Sequence, residues 1–339
     1  MKLTFTLPSL FAVAMLLAPM AGLGQSAGAT ADGNAAAGAM PALAVPAVAS
    51  PETESRNVRL TMGFRLVPVG GGSKVILTTL IPQSVPGRQY VEKIVYSHKP
   101  SEVFVAGGNA YATFTFASLD EALDLKITAN MQLFRYDLSA ARAGVASLAG
   151  SQDENLPGYL TAERYIECDQ PEVRTLAAKA DGAGDIETVE ALYDSVIRTL
   201  RVSGYQIEDG GALAAVRERQ GDCTEHSDLL VALCRSRGIP ARVCEGLITD
   251  YSDVPRHAWV EVFTREHGWV PFDPAQGRSG NGSFERLKPM YIYLSKVRND
   301  PQLGNGHSWY CHYWGKPVSI TDNIRIEKVR PTQHLAAAK

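Results

Sequence analysis

A cysteine, a histidine and an aspartate stand in an order and local setting that suit acyl transfer through a thiol. Cys223 follows Gly221-Asp222 directly and begins a run with helical spacing. At a helix start the macrodipole and the unsatisfied N–H groups favour a thiolate. The same N–H groups can donate to the oxyanion of a tetrahedral intermediate, and Gly221 lets the backbone bend tightly before the helix. A thiol nucleophile needs a base, and the base needs a partner that orients it. His257 opens one strand-like run and Asp273 closes the next.

The elements around these residues supply the placement. The helix beginning at Cys223 runs to Arg237, with Gly238 as its stop and Pro240 just beyond. Three strands follow, over Ala241–Ile248, His257–Phe263 and His267–Phe272. With the last two as antiparallel neighbours about the Thr264–His267 turn, His257 and Asp273 fall on one face near one edge. Upstream, Val173–Ala180 is helix-like, and Asp185 is expected to cap the helix that follows. Its Ile186, Val189, Leu192, Tyr193, Val196, Ile197 and Leu200 share one face. Ala212–Arg219 forms a short helical piece ahead of Gln220-Gly221.

The run GDCTEHSDLLVALCRSRGIPARVCEGL, followed by RHAWVEVF and GWVPFDPAQG, resembles the microbial transglutaminase-like family of papain-related thiol enzymes. The likeness covers about residues 158 to 280, and the preceding β region also resembles the domain often found ahead of this module. The resemblance implies Cys223 as nucleophile, His257 as general base and acid, and Asp273 as the residue orienting the imidazole. It also implies an α+β fold, a papain-like core in which the cysteine helix packs on an antiparallel sheet. Where animal crosslinking enzymes of this superfamily have Gln before and Trp after the nucleophile, this chain has Asp222 and Thr224. Those enzymes also use a Trp upstream of the cysteine for the oxyanion. Here Trp259, Trp269, Trp309 and Trp314 all lie downstream, so the second oxyanion donor is unassigned.

Other residues divide between chemistry and packing. Trp259, Asp222 and Thr224 are expected as substrate or oxyanion contacts, with Trp259 shielding the histidine and Trp269 in the core. Cys223 and His226 form a Cys-x-x-His pair, but a closed zinc site needs four ligands and Cys234 and Cys244 are poorly spaced for one. No metal and no cofactor is therefore expected, nor a calcium loop. Cys234 lies nearly on the face of Cys223 and reads as core. Arg242 and Glu261 read as a structural ion pair. Cys168, Cys234, Cys244 and Cys311 could form two disulfides in three ways or stay as buried thiols, and connectivity is not encoded locally. The aromatic run His307–Trp314 suits either a cleft wall or a buried strand.

The remainder sets compartment and domain count. Lys2 and the apolar run Leu10–Leu17, followed by small residues, form a signal peptide expected over 1–29; the run, bounded by Pro8 and Pro19, is short for a membrane span. An Ala/Gly/Pro-rich tether over 30–55 follows. Residues 56–148 read as an antiparallel β domain, with Val58, Leu60, Met62, Phe64 and Leu66 alternating against polar positions and Gly70-Gly71-Gly72 as a turn. The catalytic domain is expected over 157–330, closing with strand-like pieces at Met290–Leu294, Trp309–Trp314 and Ile324–Val329. At 339 residues the chain is long enough for two cores, and its net charge of -3 with scattered basic residues speaks against a nucleic-acid partner. The expectation is a periplasmic or secreted thiol hydrolase acting on peptide, protein or peptidoglycan-derived amides. Protein-glutamine transamidation and a non-catalytic scaffold of the same fold are the alternatives.

Overall fold

The computed structural model describes residues 54–142, 156–206, 208–251, 256–304 and 306–330. The expected signal peptide, nearly all of the tether, residues 143–148 of the β domain and the C-terminal tail lie outside them. Among the described residues no helix is long and apolar enough to cross a membrane.

Six strands open the described chain: β1 (Ser55–Pro68), β2 (Ser73–Ile81), β3 (Gln89–Tyr96), β4 (Glu102–Ala106), β5 (Asn109–Leu119) and β6 (Leu123–Phe134). Alternation dictates their faces. Val58, Leu60, Met62 and Phe64 of β1 pair with Met131, Ala129, Ile127 and Leu125 of β6, and all eight are buried. The β1–β2 connection turns on Gly70, Gly71 and Gly72, all at positive φ, where a side chain would be strained.

Short pieces follow: β7 (Tyr136–Asp137), α1 (Leu138–Arg142) and a 3-10 turn at Leu156–Leu160. The helical layer is α2 (Pro171–Ala177), α3 (Asp185–Thr199), α4 (Gly211–Glu218) and α5 (Cys223–Ser236), with β8 (Arg201–Val202) and β9 (Gln220–Gly221) pairing in parallel between them. Gly184, not Asp185, occupies the cap of α3, and Asp185 becomes its first helical residue. There its charge still meets the positive end of the dipole.

The second sheet is built from β10 (Ala241–Ile248), β11 (Arg256–Thr264), β12 (Gly268–Phe272) and, after α6 (Pro274–Arg278) and β13 (Arg286–Leu287), β14 (Tyr291–Ser295). Its order is β12-β11-β10-β14, all antiparallel. One face packs on the helices through Val243, Ala258 and Val260. Leu247, Ile292 and Leu294 instead join the core of the β sandwich.

The chain then returns to where it began. β15 (Trp309–Trp314) pairs with β2 and β16 (Val318–Lys328) pairs with β1, giving sandwich sheets ordered β15-β2-β5-β4 and β16-β1-β6-β3. Residues 309–328, which the sequence reading groups with the catalytic range 157–330, are thus edge strands of the sandwich. Local periodicity marks a strand but not its neighbour, which explains the difference.

Candidate active site

Helix α5 is enclosed on nearly every side, with residues 225–235 all buried. Its polar groups are carried inside with partners, His226 Nε2 excepted. Asp228 receives Arg298 Nε at 2.8 Å and Nη2 at 3.1 Å, and Arg235 donates to the Ala241 and Thr161 carbonyls and to Glu163. Such pairing fixes the helix and therefore the placement of Cys223 at its first turn. Asp222 is the cap: its Oδ1 accepts the Thr224 N–H at 2.8 Å, and Glu225 Oε2 accepts the Asp222 N–H at 3.0 Å, closing a capping box. Asp222 Oδ2 also accepts the Gln206 N–H at 3.0 Å, which ties the 203–206 segment beside the thiol.

This sharpens two expectations and overturns a third. Asp222 and Thr224 do line the cleft, but the Asp222 carboxylate and the Thr224 N–H are committed to each other. Trp259 is 0% exposed and lies in the core, its ring stacked 6.3 Å from that of His257. It supports the histidine from beneath and does not reach the cleft wall, because on β11 it sits two residues from His257 and continues inward.

His257 and Asp273 meet as the hairpin dictates. With Val260 opposite Phe272 in the β11–β12 register, His257 Nε2 donates to Asp273 Oδ2 at 2.7 Å, both side chains buried. Cys223 lines the same recesses as His257 and is among the groups that raise the imidazole, and with Nε2 committed to Asp273 the nitrogen left for the thiol is Nδ1. Burial by itself would favour the neutral ring, but the charge and hydrogen bond of Asp273, with Cys223, hold His257 well above the usual histidine range. Burial would likewise raise Asp273, yet His257, the Gln276 N–H and Tyr291 hold it below its ordinary value.

Two recesses, of about 280 Å³ and about 480 Å³, meet at the thiol and share Tyr205, Asp222, Cys223, Arg256 and His257. The smaller continues along Asp209, Glu245, His307 and Trp309. The larger continues along Tyr251 and Gln276. The run His307–Trp314 meets one expectation and corrects the other: residues 307–309 line the cleft, but 309–314 form an edge strand of the sandwich that is not buried, with Tyr310, Tyr313 and Trp314 exposed. His307 closes its end by donating to Glu245 Oε2 at 3.0 Å and approaching Asp209 Oδ2 at 3.2 Å.

The remaining singled-out residues are structural. Arg242 and Glu261 form a buried pair at 2.8 Å, with the guanidinium 3.7 Å over the Trp269 ring. His226 Nδ1 donates to the Asp222 carbonyl at 2.7 Å. Among the described residues no group of three or more His, Cys, Asp or Glu is arranged to hold a metal ion. All five cysteines are free thiols, and burial pushes Cys168, Cys234, Cys244 and Cys311 up, the last to about 11. Tyr205, Gln206, Tyr251 and Tyr291 were not singled out from the sequence. None belongs to a spaced motif, and each reaches the site through a loop or a strand pairing.

Residues 174–274, which hold all three of Cys223, His257 and Asp273, match the profile of the transglutaminase-like superfamily. Protein YebA of Bacillus subtilis is 30% identical over 157 residues, 39% of this chain, and the match spans only 21% of that protein's length. A crystal structure of a candidate cysteine protease from Cytophaga hutchinsonii covers 82% of this chain and 92% of its own, with a TM-score of 0.57 at 16% identity. That is a likeness of fold. The periplasmic domain of TgpA from Pseudomonas aeruginosa aligns with 65% of this chain and 74% of its own at 16% identity, with a TM-score of 0.36.

Proposed function

From the premise that this chain carries a transglutaminase-like superfamily domain over residues 174–274, we propose that it is an exported thiol hydrolase of amide bonds. The observation that carries the reading is the alignment of Cys223 at a helix start with His257, whose far nitrogen is held by Asp273 at 2.7 Å, where two recesses meet.

In this reading the Cys223 thiol proton resides on His257 and the sulfur attacks the substrate carbonyl carbon. The carbonyl electron pair moves to oxygen. With the Thr224 and Asp222 N–H groups already engaged, the N–H of Cys223 itself is the first-turn donor at hand for that oxyanion. Collapse breaks the C–N bond as His257 protonates the departing amine, leaving a thioester. Water, giving its proton to His257, attacks the thioester; a carboxylic acid leaves and the thiol is restored. Asp273 holds the imidazole in one tautomer throughout. Peptides, including peptidoglycan-derived ones, are the substrate class, and the signal-like segment at 1–29 would place the reaction in the periplasm or outside the cell.

The test exploits the other four thiols being raised by burial. Iodoacetamide near pH 6 is expected to label Cys223 alone, at a rate at least ~10-fold above an ordinary thiol, and Cys223→Ala is expected to remove both the label and peptide cleavage. A Cys223 that reacts no faster than a free thiol sinks the proposal. Peptide incubation with a fluorescent amine separates the chemistries: amine adduct without cleavage would establish transamidation instead.

A further inference from the structure

Tyr291 belongs to no motif and opens β14, a strand that pairs with β10, opposite Ile248. Its hydroxyl donates to Asp273 Oδ2 at 2.7 Å, the same oxygen that accepts His257 Nε2 at 2.7 Å. The other carboxylate oxygen, Oδ1, accepts the Gln276 N–H at 2.9 Å as the cap of α6. The plane of the carboxylate is therefore set by β14 on one side and by the α6 backbone on the other. The Tyr291 ring is itself buried, 5.2 Å from the Trp259 ring and 6.1 Å from that of His257, so two aromatic neighbours hold it in place.

We infer that Tyr291 is a positioning residue of the thiol site: it orients Asp273 and shares the charge that Asp273 presents to His257. The inference rests on Cys223 acting as the nucleophile. Burial and the neighbouring Asp273 charge push the Tyr291 phenol well above its usual value, so it stays protonated and remains a donor across the working range. A carboxylate oxygen that accepts from two donors spreads its charge over both. Removing one leaves a stronger acceptor for the imidazolium and a carboxylate less firmly turned towards it. Tyr193 offers an internal contrast, since its hydroxyl donates to the Asp273 main-chain carbonyl at 3.1 Å and not to the carboxylate.

The experiment follows the rate of Cys223 alkylation by iodoacetamide from about pH 4 to about pH 10, which needs no identified substrate. In Tyr291→Phe the upper transition, where the imidazolium loses its proton, is expected to rise by roughly half to one pH unit. Tyr193→Phe is expected to leave it at the wild-type position. Site-specific 3-fluorotyrosine at 291, an isosteric and stronger donor, is expected to lower it, and this keeps the test available if the phenylalanine variant does not fold. A transition that stays put with both Tyr291 replacements, or that moves equally with Tyr193→Phe, overturns the inference while leaving the nucleophile reading intact. A wild type with only one ordinary thiol transition overturns both, and it does so before any variant is compared.

Discussion

Around Cys223 the side chains are constrained more tightly than the catalytic roles alone demand. Asp273 uses its carboxylate for His257, Tyr291 and the Gln276 N–H, while Asp222 divides its own between Thr224 and Gln206. The far end of the cleft has a second titrating group. Hydrogen bonds to Asp209 and Glu245 raise His307 to about 10 although burial works against them, and, against its own burial, contacts with His307 and Arg298 lower Asp209 to about 2. A histidine whose folded value is raised adds stability that is complete below its unfolded value of about 6.5 and is lost as pH climbs through about 10. The ring is half-exposed, so solvent screens the effect and the contribution is modest. Wild type is accordingly expected to melt ~2 °C above His307→Ala near pH 6, with the gap closing by about pH 11. A gap that persists or widens in alkali, read by thermal melts across that range, would show that His307 does not act through its charge.

Among the elements, β10 bears the most conflicting demands. It pairs with β11 on one edge and β14 on the other, and its Leu247 joins the sandwich core while Val243 and Ile248 join the helix-side core. Gly246 is where these demands meet, beside a register shift at Glu245/Gly246 and opposite His257. A Cβ there would lie 2.0 Å from the Ile292 carbonyl oxygen and 3.0 Å from the Trp259 ring. Neither neighbour can yield, one being backbone and the other a fully buried indole. Gly246→Ala is expected to cost about 3 kcal/mol or more in urea unfolding, and to slow Cys223 alkylation by disturbing β14 and His257 together. A loss below about 1 kcal/mol would mean that β10 and β14 are not held this closely. The helix and strand limits themselves were largely legible in the sequence: α5 begins at Cys223, and β11 and β12 bracket the turn that brings His257 to Asp273. The alternation and the Gly-Asp-Cys start are local signals. What lay beyond them was the content of the cleft. Tyr205 and Gln206 sit on a connecting segment, and Tyr291 reaches Asp273 only because β14 pairs with β10.

On the scale of the whole molecule, the last described strands close a structure opened by the first. Trp309, Cys311, Ile320, Ile324 and Ile326 pack against the sandwich core, so a chain ended at residue 304 would leave β1 and β2 as bare edges. Each apolar side chain removed forfeits ~1–2 kcal/mol of burial, and five together rival the ~5–15 kcal/mol by which a domain is stable. That truncated chain is expected to bind a hydrophobic dye and to be cut by protease within residues 55–135. A protease-resistant, cooperatively melting product would mean that the sandwich stands without its C-terminal strands. The sequence by itself determined the thiol, imidazole and carboxylate, the helix and hairpin that carry them, and the two kinds of periodicity along the chain, because each is written within a few residues of itself. Only the tertiary structure decided that Trp259 is core, that Asp222 is spent as a cap, that residues 309–328 belong to the sandwich, and that Tyr291 holds Asp273. Those outcomes depend on which strand lies beside which and which face is covered, and a side chain's own neighbourhood in sequence does not encode them.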